Sequence, residues 1–473
     1  MSNDGHSRNL ERAFAWAEGI MGGKVVAKED QKRWRPQWFL DIEKPDGSIH
    51  RVVLRGWRAA TTGTEEENRR FLEREAAVTR ALQGTGVKVA AFHGYDPEGG
   101  WMLIDRFEGS PHIGDVEDLQ LQKKIFHSYM ENLALMHSLD CAKLGLEGVV
   151  DPPASYEDAI GGEAGGLAWY RKEYDKVVEK DPEPLVELGL WFASTHKPRP
   201  TKQYSLSTGD PGINNFMFQG DRFVGLYDLE LAYIGDPLRE ICQMRLKTMC
   251  HGSGERYLHD LPDGIRHWAD ALGVELDRES IGYWTVVAML QGPMLTVRIM
   301  NKPDPEYIAE FEHMNTHQPH YRRGLAEALA EYYGLELTVP EKPEPHSDRM
   351  SRYYELVTRQ LLETHARLAT SDEHKFLLER TADFTKTLEL DKAYGEHTRA
   401  ANMADLSAVL GQPVKSEREG LAMLQARIKN SPEQDIPGVV QALFNIEVRN
   451  AWVFEPMQRW AKYRTAAPLD RMW

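Results

Sequence analysis

Thr208-Gly209-Asp210-Pro211-Gly212-Ile213-Asn214-Asn215 leads into two apolar runs, Phe216-Met217-Phe218 and Phe223-Val224-Gly225-Leu226, which end in Tyr227-Asp228-Leu229-Glu230. The polar, glycine-bearing turn Gln219-Gly220-Asp221-Arg222 between the runs predicts a tight β-hairpin. If Phe218 pairs with Phe223, Asn215 falls opposite Leu226, and Asp228 lies two residues further along the returning strand. An amide oxygen and a carboxylate then meet at one end of the hairpin. Such donors suit a hard divalent cation such as Mg²⁺, which takes its other ligands from water and nucleotide phosphates. Asp210, five residues before Asn215 on an irregular loop, is positioned to orient a hydroxyl and accept its proton as that hydroxyl attacks a phosphoryl group. The competing reading is a surface hairpin with ordinary Asx turns.

The pattern Asp-x4-Asn, a hairpin, Asp-x-Glu and then Gly235-Asp236-Pro237 resembles the aminoglycoside-phosphotransferase-like kinases, the phosphotransferase enzyme family. The resemblance implies an α+β, two-lobed protein-kinase-like fold in which Asp210 is the catalytic base, Asn215 and Asp228 bind magnesium, and ATP is the phosphoryl donor. A His usually stands two residues before the base in that family, and here the position is Thr208. That His braces the loop, so the departure bears on loop geometry more than on chemistry. Asp236-Pro237 reads as an N-cap followed by proline at the first helical position; the resemblance adds a bracing role for this Asp. Glu230 keeps three readings open: support of a second metal, orientation of Asp210, or a polar residue after the hairpin.

With 473 residues the chain has length for about three domains. Its 73 acidic against 57 basic residues give a net charge of −16, which argues against a sequence-independent nucleic-acid binder. Cys141, Cys242 and Cys250 form neither a metal pattern nor a disulfide framework, so a reducing cytoplasm is the expected setting. Residues 1–18 have an amphipathic helical pattern without the apolar core of a signal peptide. The most apolar later run, residues 284–300, contains Gln291, Gly292, Pro293 and Arg298 and is a poor membrane span.

Residues 24–27 and 38–42 read as strands around the charged loop Glu29-Asp30-Gln31-Lys32-Arg33-Trp34-Arg35-Pro36. Phosphate-covering loops usually use glycine, whose bare N–H groups approach the anion closely. No glycine stands here, so Lys32, Arg33 or Arg35 would have to supply charge from side chains; a solvated charged turn is the other reading. Residues 50–57 form a strand by β-branched content, and residues 65–83 a helix with Phe71, Val78 and Leu82 at helical spacing. Glu75 falls on that apolar stripe, where a carboxylate is expensive unless paired, and Arg55 is the expected partner. In the resembled family a strand Lys or Arg contacts the nucleotide phosphates and is held by a helix Glu; Arg55 and Glu75 match those positions. The same resemblance makes residues 101–109 the approach to a hinge, where adenine bonds to backbone near Asp105 and Phe107.

Residues 118–138 read as a helix with His137 beside its apolar face, a position that usually holds a satisfied core histidine. Trp268, Trp284, Met289 and Met294 read as core, and Arg298 as a contact for an anionic acceptor. The proline-rich linker 338–347 precedes helical periodicity over 349–369, 373–394, 396–410, 417–429 and 437–463. The expected division is an N-terminal kinase-like lobe at 1–108, a C-terminal lobe at 109–337, the linker at 338–347, and an appended all-α C-terminal domain at 348–473. That domain reads as a packed bundle, a lid over the acceptor, or an interface for a homo-oligomer. The expected activity is ATP- and Mg²⁺-dependent transfer of the γ-phosphoryl group to a small-molecule hydroxyl. A metabolic acceptor such as a hydroxyacyl-CoA is favoured over an aminoglycoside-type antibiotic. The alternative is a nucleotide-binding pseudokinase whose helical domain recruits a protein partner.

Overall fold

The structure is a computed structural model that describes residues 3–31, 35–57, 64–161, 167–176, 181–213, 215–251, 260–300, 308–458 and 468–473. In chain order, α1 (Asn3–Met21) precedes β1 (Lys24–Asp30), β2 (Gln37–Glu43), β3 (Ile49–Gly56), α2 (Glu65–Ala81), β4 (Phe92–Asp96) and β5 (Trp101–Asp105). Next come α3 (Leu119–His137), α4 (Tyr156–Gly161), α5 (Leu167–Asp175) and α6 (Pro184–Thr195). The short strands β6 (Ser205–Ser207), β7 (Phe216–Gln219), β8 (Arg222–Leu226) and β9 (Tyr233–Gly235) follow. Beyond them lie α7 (Pro237–His251), α8 (Leu261–Leu272), α9 (Arg278–Met300) and α10 (Ile308–Tyr333). The last stretch holds α11 (Ser351–Arg359), α12 (Ala366–Leu368), α13 (Asp372–Leu410), α14 (Glu417–Asn430) and α15 (Ile436–Val453). Contacts divide the chain into two units, one of residues 1–155, 201–240 and 263–275, the other of residues 156–200, 241–262 and 276–473. This partition cuts across the four consecutive segments expected from the sequence, because the helices after the proline-rich stretch pack into the same unit as α9 and α10.

The first unit is built on an antiparallel sheet of order β1-β2-β3-β5-β4. Side chains alternate across it. Leu40, Ile42, Val52, Leu54 and Leu103 meet Ala13, Phe14, Ala17 and Met21 of α1 on one face. Met102 and Ile104 meet Leu72 and Ala76 of α2 on the other. A reciprocal capping box between Thr64 and Glu67 starts α2, with Glu65, Glu66 and Glu67 in its first turn, where the helix dipole favours acids. Strand β1 runs three residues further than its apolar run: Lys28, Glu29 and Asp30 pair with Leu40, Phe39 and Trp38. As an edge strand it carries exposed charges, which discourage pairing with another chain. Glu29 and Asp30, expected in the charged loop, therefore belong to the strand.

In the second unit α9 is buried on every side from Ser280 to Met294, mostly through apolar residues such as Ile281, Tyr283, Trp284, Val287, Met289 and Leu290. Among the described residues no helix is long and apolar enough to cross a membrane. The two helices expected over 373–394 and 396–410 are one, α13, which passes through Gly395 without a break. A mid-helix glycine costs about 1 kcal/mol, and burial of Ala382, Tyr394 and Leu406 together with the Arg449–Asp405 ion pair at 2.7 Å offsets that. Arg322 of α10 donates to both oxygens of Glu183 at 2.6 Å and to Glu447 of α15 at 3.1 Å. Burial opposes its charge, but the two carboxylates outweigh burial and raise its pKa. Arg322→Ala would strand two buried carboxylates; the expected loss is about 3 kcal/mol of stability, the lower end for a broken buried pair, read as a lower urea midpoint.

Candidate active site

The loop that carries Asp210 is fixed from behind. Strands β6 and β9 pair, Ser205 with Gly235 and Ser207 with Tyr233, so the chain enters the loop from a two-stranded base. Glu240, fully buried in the first turns of α7, receives the loop on one oxygen: Thr208 N–H at 2.6 Å, Gly209 N–H at 3.1 Å and the Thr208 hydroxyl all donate to Oε1. Its Oε2 lies 2.6 Å from His137 Nε2, and His137 Nδ1 accepts from Trp268 Nε1 at 3.0 Å. An indole N–H only donates, so Nδ1 must be the acceptor and Nε2 carries the hydrogen given to Glu240. Thr208 thus takes up the bracing position through its hydroxyl and its own N–H, and His137 is a satisfied core residue. Gly209 is required: its φ is +81°, and a Cβ there would lie 1.8 Å from the Leu231 carbonyl oxygen. Asp236 caps α7, accepting the Leu238 N–H at 2.9 Å.

The hairpin forms between β7 and β8, but its register differs by one residue from the sequence expectation. Phe218 pairs with Phe223, yet Met217 pairs with Gly225 and Phe216 with Leu226, because a bulge inserts Val224. Asn215 is therefore opposite Tyr227, whose N–H donates to the Asn215 carbonyl at 3.3 Å. The Asn215 side chain donates from Nδ2 to the Asp210 carbonyl at 2.9 Å and so ties the metal-ligand candidate to the base candidate. Asp228 follows with φ +65°, a left-handed backbone that turns the chain out of β8.

Behind the hairpin, five charged side chains alternate in one buried row. Asp228 bonds to Arg55 Nη2; Arg55 Nε lies 3.0 Å from Glu75; Glu75 lies 3.6 Å from Arg35; and Arg35 bonds to Glu230. Arg55 also donates to Gln37 at 3.3 Å. All but Asp228 are more than nine-tenths buried. Burial raises the Glu75 pKa, an effect its two arginines oppose and Asp228 adds to. Burial also works against the Arg55 charge, but Asp228 and Glu75 outweigh it and raise its pKa; Arg35 is lowered by burial and by the charge of Arg55. Carboxylate oxygens of Glu75, Asp228 and Glu230 lie within 4.8 Å of one another. Three acidic groups against two guanidiniums form an oxygen-only donor set of the kind a hard cation such as Mg²⁺ takes.

Arg35 therefore stands inside the cluster, held by Glu230, rather than at a loop tip. Arg33 and Lys32 lie outside the described residues, as does Asn214, and the side chain of Arg298 is likewise not described. Near the hinge, the Asp105 N–H is committed to the Ala91 carbonyl at 2.9 Å and the Arg106 N–H to Arg51 at 3.0 Å. The Asp105 carboxylate turns to His50 and His93. The ring of Phe107 packs on β8, where a Cβ on Gly225 would meet it at 2.4 Å. The sequence reading did not identify Glu240. Its signal was a carboxylate in an apolar stretch, Glu240-Ile241-Cys242, the same signal that marked Glu75.

An antiparallel sheet with a packed helix, a buried Arg–Glu pair and an acid-bearing loop and hairpin define a kinase-like phosphotransferase. The chain belongs to the phosphotransferase enzyme family, whose profile matches residues 36–273, half of its length. A stretch of 140 residues is 26% identical to acyl-CoA dehydrogenase family member 11 of Gallus gallus. That match spans 29% of this chain and only 16% of the relative. Among solved structures, a protein assigned as an aminoglycoside phosphotransferase from Ralstonia eutropha JMP134 is 17% identical with a TM-score of 0.51, covering 68% of this chain and 98% of that one. The macrolide 2'-phosphotransferase MphH of Brachybacterium faecium is 15% identical with a TM-score of 0.43, covering 65% and 96%.

Proposed function

We propose that this enzyme moves the γ-phosphoryl group of ATP to a hydroxyl of a small metabolite, with a hydroxyacyl-CoA as the first acceptor to test. The observation that carries the reading is the tie between Asp210 and Asn215 on a loop pinned by Glu240, with Asp228 on the returning hairpin. Asp210 accepts the proton of the acceptor hydroxyl; the new O–P bond forms as the bond from the γ-phosphorus to the bridging oxygen breaks, and ADP leaves. Asn215 and Asp228 would hold a magnesium ion, with Glu230 in support, and the ion would supply neutralisation of charge on the phosphates. Arg55, oriented by Glu75, meets the phosphates, and Arg35 is held by Glu230 in the same row. Adenine bonds to backbone at Phe107, since the N–H groups of Asp105 and Arg106 are already committed. The relative from Gallus gallus is named for acyl-CoA chemistry, which supports a CoA thioester over an aminoglycoside.

The test is calorimetry with ATP, with and without Mg²⁺, on wild type and Asp228→Asn, followed by ADP release with hydroxyacyl-CoAs and aminoglycosides. Asn tolerates the left-handed backbone at this position, so the substitution removes charge without forcing the turn. Magnesium-dependent binding weakened about tenfold by Asp228→Asn, equivalent to about 1.4 kcal/mol, is expected. Failure to bind ATP under any condition would sink the proposal, and binding without turnover on any acceptor would favour a pseudokinase.

A further inference from the structure

On the α1 face of the sheet, away from the Arg55–Glu75 pair, three side chains with metal-binding atoms converge. His50 of β3 shares its face with Val52 and Leu54, and Asp105 of β5 shares its face with Leu103; all three apolar residues pack against α1. His93 reaches them from β4 through a bulge: Phe92 pairs with Ile104 and Gly94 with Leu103, leaving His93 as the extra residue. A Cβ on Gly94 would meet Trp16 and Ile20 of α1, so Gly94 faces α1, while Phe92 packs against the α2 cluster. The bulge thus adds a second consecutive residue on the α1 face, and that residue is a histidine, in keeping with the way bulges re-aim side chains near functional sites.

Both His50 Nε2 and His93 Nε2 lie 2.6 Å from one atom, Asp105 Oδ1, and the two rings stand edge to face with centroids 5.4 Å apart. One ring nitrogen of each histidine and a carboxylate oxygen all lie within 4.8 Å of one another. The side chains are 37%, 20% and 35% exposed, open enough for an ion to enter from solvent. We propose that His50, His93 and Asp105 bind one divalent transition-metal ion of the zinc class. Two imidazole nitrogens with one carboxylate form a borderline donor set that suits Zn²⁺, Co²⁺ or Ni²⁺ and discriminates against Mg²⁺ and Ca²⁺, which prefer oxygen alone. Metal–ligand bonds of about 2.0–2.2 Å replace the two N–H contacts. Each ring then takes its Nδ1–H tautomer, and the three donors spread around the ion. Three protein ligands leave a fourth position for water. The ion clamps β3, β4 and β5 together at the end of the sheet where the chain leaves for residues 106–110. The site stands independently of the proposed phosphoryl transfer.

The test titrates chelator-stripped full-length protein with ZnCl2 by calorimetry and with CoCl2 by visible absorption. One equivalent is expected to bind with a Kd at or below about 1 µM, raising the melting temperature, and millimolar Mg²⁺ should not displace it. His50→Gln and His93→Gln should each weaken binding by at least about 100-fold, the upper end of what loss of a supporting partner costs, while the metal-free variants melt like metal-free wild type. If one variant fails to fold, the other carries the test. Absence of one-equivalent binding would overturn the proposal. So would binding that both variants retain unchanged, since the ion would then sit elsewhere, for instance among Glu75, Asp228 and Glu230.

Discussion

Asp210→Asn is expected to lower kcat by about 10²–10⁴-fold, the range for loss of a positioned general base, while nucleotide affinity and the urea midpoint stay close to wild type. The expectation rests on how the loop is held. Its anchors are the Thr208 and Gly209 N–H groups on Glu240, together with the Asp210 carbonyl, which accepts from Gly212 at 2.7 Å and from the Asn215 amide at 2.9 Å. All of these survive when the Asp210 carboxylate becomes an amide of the same shape. What is expected to be lost is the proposed capacity to take a proton from the attacking hydroxyl. The measurement is ADP release with the best acceptor, paired with calorimetry for ATP. A fall in nucleotide affinity matching the fall in kcat would assign Asp210 to binding instead of proton transfer, and an unchanged kcat would remove it from the chemistry.

What was legible in the sequence was local or was forced by burial. The hairpin could be read because turn chemistry acts over four residues, and the Arg55–Glu75 pair because a carboxylate on an apolar helix face demands a cation. The one-residue error in hairpin register arose from the bulge at Val224, since glycine at 225 allows several strand geometries and alternation alone does not choose among them. The alternating row of five charges was only half visible: Arg35 and Glu230 are far apart in the chain, and nothing near either one names the other. The merging of two expected helices into α13 has the same root, because packing against α15 and the buried Tyr394 overrides the local cost of Gly395. His93 was hidden for another reason: its orientation depends on a bulge, which breaks the period that strand reading relies on.

Glu240→Ala should lower stability by about 3–5 kcal/mol, the range for removing one partner of a buried charged group, and so by at least as much as Arg322→Ala. Four donors end on this carboxylate, and three come from the loop that carries Asp210. Without it, two buried backbone N–H groups and the His137 Nε2–H lose their acceptor, each at a cost of about 1–3 kcal/mol where water cannot reach. Some of that will be recovered as the loop shifts to find other partners, and the shift is itself damaging, because a displacement of about 1 Å in catalytic geometry lowers rate by about 100-fold. Glu240→Gln separates the two effects. Its carboxamide oxygen still accepts from Thr208 and Gly209, whereas its NH2 group is set against the hydrogen of His137. Most of kcat should therefore survive in Gln, with a smaller loss of stability, while Ala loses both. Urea unfolding followed by tryptophan fluorescence, with kcat measured well below each midpoint, distinguishes these outcomes. An Ala variant as stable and as active as wild type would show that the loop is held by other contacts, and that Thr208 does not replace the bracing histidine through Glu240.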